Sequence, residues 1–172
     1  MKLRYLACLF AAAASLNAQN VLKDTTIDRY YKSVDRFIQA AAEAMPADKY
    51  DFRLTPAQMS FGEWINHSTE RNYLDCSTLR GEPNPMPKAK TDALKGKDAI
   101  VQNLRESFAY CDATFANLTD QKILSSPQMV ISFLHTAVHN NEIYGNIVGY
   151  LRVSGITPPS TQMANQMKKG KK

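Results

Sequence analysis

Two of the chain's three histidines stand four residues apart, in the stretch FLHTAVHNNEIYG at positions 133–145. The third, His67, lies far upstream in FGEWINHSTERNYL. On a helix turning about 100° per residue, with His135 set at zero, His139 falls at about +40°, Glu142 at about −20° and Asn146 at about +20°. Both imidazoles therefore share one face with Glu142 just beneath them. Histidines at i and i+4 can hold one divalent ion together. They can equally be polar residues on a solvated face, and the pair by itself does not decide. A third donor is needed, and His67 is the only histidine left to supply it. Position 136 is Thr, so the pair lacks the general-base Glu of the zinc-protease helix.

Three imidazoles leave a divalent ion an open position, as catalytic rather than structural sites do. Glu142 is the candidate catalytic base, or an acceptor for a ligating imidazole. Glu63, one turn before His67, is the next candidate, although it also fits a helix cap. Neither Cys76 nor Cys111 suits a thiolate role at the ion. Cys76 lies about 13 Å along the helix from His67 and on the opposite side.

These residues need long helices to carry them, and repeats of three and four dominate the sequence. The segment TTIDRYYKSVDRFIQAAAEAM carries an apolar stripe of Ile27, Tyr30, Tyr31, Val34, Phe37, Ile38, Ala41 and Met45, ended by Pro46. A second helix opens at Ser60 with Glu63 three residues on, a capping box, and stops at Gly81 before EPNPMPK. A third covers KDAIVQNLRESFAYCDATFANL with Leu104, Phe108, Cys111, Phe115 and Leu118 on its seam. The fourth starts at Ser125 or Ser126 with Pro127 in its first turn, carries His135 and His139, and ends at Gly155 before Pro158 and Pro159. The expected fold is all-α, a four-helix bundle with one longer connection between the second and third helices.

The first eighteen residues, MKLRYLACLFAAAASLNA, have the layout of a secretory signal peptide, with Lys2 and Arg4 ahead of an apolar run too short to span a bilayer. Cleavage after Ala18 removes two of 21 basic residues and none of 16 acidic ones, leaving a balance of +3. The expected organisation is a signal peptide over 1–18, one domain over 19–160 and a basic, flexible tail over 161–172. The expected location is periplasmic or extracellular, with neither nucleic acid nor membrane as partner. Export would put Cys76 and Cys111 where disulfides persist, and the sequence leaves open whether they pair.

The segment FLHTAVHNNEIYGNIVGYLRVSGITPP resembles the last helix of the DinB-like superfamily, named after a bacterial damage-inducible protein, and YGNIVGYLR with GITPP is similar to its secreted branch. WINHSTERNYLDCSTLRG resembles that family's second helix, and the likeness runs from about position 26 to 159. The resemblance implies a four-helix bundle with a divalent metal ion, zinc or nickel first, held by His67, His135 and His139. It also implies activity on an unidentified small-molecule substrate, as a metal-dependent hydrolase or a thiol S-transferase. Export sits poorly with the thiol reading, because those thiols are cytoplasmic. Relatives are often dimers, which makes a homodimer an expectation of the resemblance. The alternative is a non-catalytic metal-binding or stress protein, and a third reading is a metal-free helical interaction module.

Overall fold

The computed structural model describes residues 20–170, so the signal-peptide segment lies outside the described residues. The described chain is all-helical, without strands. Helices α1 (Val21–Thr26) and α2 (Lys32–Ala44) run on through a π-helical turn, Ile27–Tyr31. Helix α3 is Phe61–Arg80, α4 is Lys88–Asp92, α5 is Lys97–Ala116, α6 is Asp120–Ile123, α7 is Pro127–Val153 and α8 is Pro159–Lys169.

The long helices begin and end where local chemistry dictates. At the start of α3 the Glu63 N–H donates to the Ser60 hydroxyl at 3.2 Å, and the Ser60 N–H donates to the Glu63 carboxylate at 2.7 Å. Two otherwise orphaned donors are satisfied reciprocally. Gly81 ends α3 at φ 73°, a left-handed conformation that costs a residue without Cβ little. The Glu82 N–H then reaches back to the Ser77 carbonyl at 3.0 Å, closing a Schellman motif. Helix α7 repeats the design: Ser126 caps the Met129 N–H, Pro127 opens the first turn, and Gly155 exits at φ 76°.

Four elements depart from the sequence expectation. Tyr30, expected on the buried stripe, is 59% exposed. Burial steps by five from Thr26 to Tyr31, across the π turn, before resuming threes and fours at Val34 and Ile38. That extra residue in the turn swings Tyr30 outward. Second, the connection over 45–60 is as long as the one over 81–96, so the expected single longer connection is one of two. Third, α4 and α6 interrupt segments that carry no extended apolar period. Fourth, where a flexible tail was expected from 161, the chain forms α8 through Lys169. Tyr144 anchors it: its hydroxyl donates to the Ser160 hydroxyl at 2.9 Å and accepts the Ser160 N–H at 3.0 Å.

Helix α3 lies against both α5 and α7, and α2 packs on α7 and α5. The core between them is apolar, with Ile38, Met45, Phe61, Ile65, Leu104, Phe133, Ile143, Ile147 and Tyr150 essentially sealed from solvent. Cys76 and Cys111 form a disulfide that ties α3 to α5, with Cα atoms 5.4 Å apart. Among the described residues no helix is long and apolar enough to cross a membrane.

Candidate metal centre

Polar residues buried between α3, α5 and α7 fix the register that brings the histidines together. Ser68 donates to the Asn140 carbonyl oxygen at 2.7 Å, and the Asn140 amide donates to Asn72 at 2.7 Å. Asn72 in turn donates to the Ser107 hydroxyl at 3.1 Å, which donates to the Leu104 carbonyl at 2.8 Å. All four side chains are buried, and each finds partners. An axial slip of one residue between α3 and α7 would orphan several of them at once, so the network tolerates a single alignment.

That alignment sets His67 of α3 against His139 of α7, with the two Nε2 atoms 2.9 Å apart. The rings are nearly perpendicular, at 87°, with centroids 4.9 Å apart. His135, one turn earlier on α7, stacks on His139 at 4.5 Å and 19°. All three imidazoles thus form one cluster, as a tip-to-tip pair with a third ring stacked beside it. Among the described residues no group of three or more His, Cys, Asp or Glu side chains is already arranged around one ion position.

Each imidazole has a carboxylate at its other nitrogen. His67 Nδ1 lies 3.2 Å from Glu70, His135 Nδ1 lies 2.7 Å from Asp75, and His139 Nδ1 lies 3.0 Å from Glu142. An ionised carboxylate only accepts, so each Nδ1 must carry the proton. In the neutral imidazoles Nε2 is then a bare lone pair, and those of His67 and His139 face each other at 2.9 Å. Two lone pairs at that distance repel unless a proton or a cation lies between them. Ligands about 2.0–2.1 Å from one ion are separated by about 2.9 Å at a right angle and about 3.4 Å in a tetrahedron. The donor pair therefore suits a shared cation, and a carboxylate behind each imidazole is the usual arrangement for orienting ligating histidines.

Burial adjusts the electrostatics in the same direction. Desolvation lowers the pKa of His139, outweighing the raising effect of Glu142, and His135 and His67 lower it further. The neutral, metal-competent form is favoured. Asp75 is raised, chiefly by burial, against the opposing pull of its hydrogen bond to His135 and of the Arg71 charge. Arg71 lies 3.3 Å from His135 Nδ1 and 3.4 Å from Asp75. Because that Nδ1 gives its proton to Asp75, Arg71 is held by the carboxylate and not by the ring.

Glu142, the expected catalytic base, has its carboxylate on His139 Nδ1, across the ring from Nε2, with its side chain 65% exposed. That position orients the imidazole. Glu63 is committed to the helix cap and to Arg53 at 2.7 Å. Cys76 and Cys111 are consumed by the disulfide, so neither of them offers a thiolate. Sequence reasoning missed Glu70, Arg71 and Asp75, together with the Ser68–Asn140–Asn72–Ser107 network. The available signal was spacing: His67, Arg71 and Asp75 recur every four residues on one helix face.

His67 also lines a cleft of about 470 Å³, with Met59, Asn66 and Lys95 among its other walls. A larger cleft of about 650 Å³ opens around Asp28, Lys32, Asp35 and Asp112, but no histidine lines it. No protein-family model, curated protein or solved structure matches this chain.

Proposed function

We propose that the chain is an exported, DinB-like four-helix-bundle metalloprotein in which His67, His135 and His139 hold one divalent ion, zinc or nickel, for hydrolysis of or group transfer to a small molecule. One observation carries the reading: the opposed Nε2 atoms of His67 and His139 at 2.9 Å, with carboxylates behind both rings. A solvated pair of histidines has no need for either feature.

Bound there, a divalent ion supplies Lewis acidity and activates water near neutral pH. The protein's own residues do the rest. Glu70, Asp75 and Glu142 hold the protons on Nδ1 and aim the lone pairs. The asparagine–serine network keeps α3 and α7 in register, and the cleft beside His67 gives a small molecule access. The enzyme reading is favoured over non-catalytic metal storage by that cleft, and by Glu142 facing away from the ligand side.

Elemental analysis of purified protein, as isolated and after zinc or nickel loading, should find close to one divalent ion per chain. His67→Ala and His139→Ala variants that remain folded should lose it. Wild-type stoichiometry in both variants, or a wild type that takes up neither metal, would refute the centre.

A further inference from the structure

We infer that the cleft flanking His67 is a subsite for a small carboxylate that also carries an N–H donor, the chemistry of an N-acylamino acid or a short peptide's C-terminal end. The proposal rests on the metal-centre reading for what lies at His67, while its recognition elements are independent of that ion.

Charge is the first of them. Among the groups lining the cleft, Glu63 accepts from Arg53 and from the Ser60 N–H, each at 2.7 Å. Glu70 is held by His67 at 3.2 Å, and Lys88 pairs with Asp92 at 2.8 Å. Lys95 lines the same cleft, is exposed, and makes no ion pair among the described residues. Glu63 and Asp92 are each matched by a cation, Glu70 is held only by the neutral His67 ring, and Lys95 is the lining cation without an ion-pair partner among the described residues. An incoming carboxylate therefore finds in Lys95 a rim cation that it need not take from another carboxylate.

Asn66 is the second. It precedes His67 on α3, is only 8% exposed, and lines the cleft. Its side-chain oxygen is buried without any hydrogen-bond partner, an uncommon and costly condition. Its amide nitrogen reaches only the Leu94 carbonyl, at 3.5 Å, the outer limit of a hydrogen bond. So little holds the amide that a turn about its terminal torsion towards the cleft is cheap, and a ligand N–H would satisfy the orphaned oxygen. A carboxylate without an N–H leaves that oxygen unmatched, and a neutral amide leaves Lys95 unmatched. One ligand with both groups answers both, and its acyl carbonyl is then the part left for the polar wall at His67. Met59, 38% exposed, offers apolar contact to a small side chain.

Titration calorimetry of the full mature protein, as purified and after chelation, tests this with N-acetylglycine as probe. Levulinate replaces its N–H by a methylene, N-acetylglycinamide removes its charge, and inorganic phosphate is an anion of another shape. N-acetylglycine should bind at least tenfold more tightly than any of the three. Lys95→Glu, at an exposed position, should cost at least tenfold in that affinity while leaving the circular dichroism and the metal content unchanged. Asn66→Leu should reduce N-acetylglycine binding towards that of levulinate. Absence of N-acetylglycine binding, equal binding of the four probes, tighter binding of phosphate, or indifference to Lys95→Glu would each overturn the subsite. Lys95-dependent binding to a protein that holds no metal would uphold the subsite and sink only the metal reading.

Discussion

Replacing Asp75 by Asn separates the proposed centre from the fold that carries it. The carboxylate is 6% exposed and lies 2.7 Å from His135 Nδ1, a short charge-assisted bond. Asn keeps the shape but loses the charge, and its amide can donate as well as accept. His135 is then free to carry its proton on Nε2, the nitrogen a metal needs bare. Loss of such an orienting partner typically weakens metal binding about 10–100-fold, or about 1.4–2.7 kcal/mol. Stability of the metal-free protein should move much less, by under about 1 kcal/mol. The desolvation that raises the Asp75 pKa disappears along with the hydrogen bond. Competition with a chelating dye reads the affinity, and urea unfolding in chelator reads the stability. Glu142→Gln is the internal control. Its 65% exposed carboxylate is screened by water, so the loss should stay below about threefold. Unchanged metal affinity in a folded Asp75→Asn protein would refute the reasoning, as would an equal loss in Glu142→Gln. A large fall in metal-free stability would recast Asp75 as a structural residue.

Removing the disulfide with Cys76→Ala and Cys111→Ala should cost about 4 kcal/mol by loop-closure entropy, given the 35-residue separation, read as a lower urea midpoint. Asn140→Leu should cost about 3 kcal/mol, because it orphans Ser68 and Asn72 in a sealed interface, and it should weaken metal uptake by loosening the α3–α7 register. Saturating zinc or nickel at 100 times its dissociation constant should stabilise the protein by about 2.7 kcal/mol, roughly 5–11 °C in melting temperature. The gain should be larger at pH 8 than at pH 5. His139 has a lowered pKa, so the metal-free fold loses stability as pH falls from about 6.5 through the folded value, while protons also compete for the ligands.

Helix ends were the most legible part of this sequence because caps are local. Ser60 with Glu63, Gly81, Ser126 with Pro127, and Gly155 all act within a few residues of themselves. What depended on distant partners was not legible. Pro159 reads as a helix terminator, yet it opens α8, because Tyr144 from α7 holds Ser160. The π turn that exposes Tyr30 breaks the even period on which a helical wheel relies. At the site, spacing alone put His135 and His139 on one face, and the histidine count pointed to His67. Asn72, Asp75 and Asn140 carry no local signal of burial, because polar groups on a helix usually face solvent. Their burial is decided by α3 lying against both α5 and α7, which no single segment encodes.

Charge around the cluster also has to balance. The groups that touch the three imidazoles are Glu70, Asp75 and Glu142 on one side and Arg71 on the other. With all three rings neutral the set carries three negative charges against one positive. Two further positive charges would neutralise it, which is what one divalent cation brings. Protonating two imidazoles would give the same sum, and a proton shared between the Nε2 atoms of His67 and His139 would also relieve their repulsion, although burial disfavours charge on His139 itself. A protonated His139 would also have to sit within 2.9 Å of His67 Nε2, so at most one proton can occupy the gap between them. A doubly charged ion at the proposed centre would supply both charges and accept lone pairs from both rings at once, and elemental analysis of the purified protein separates it from shared protons.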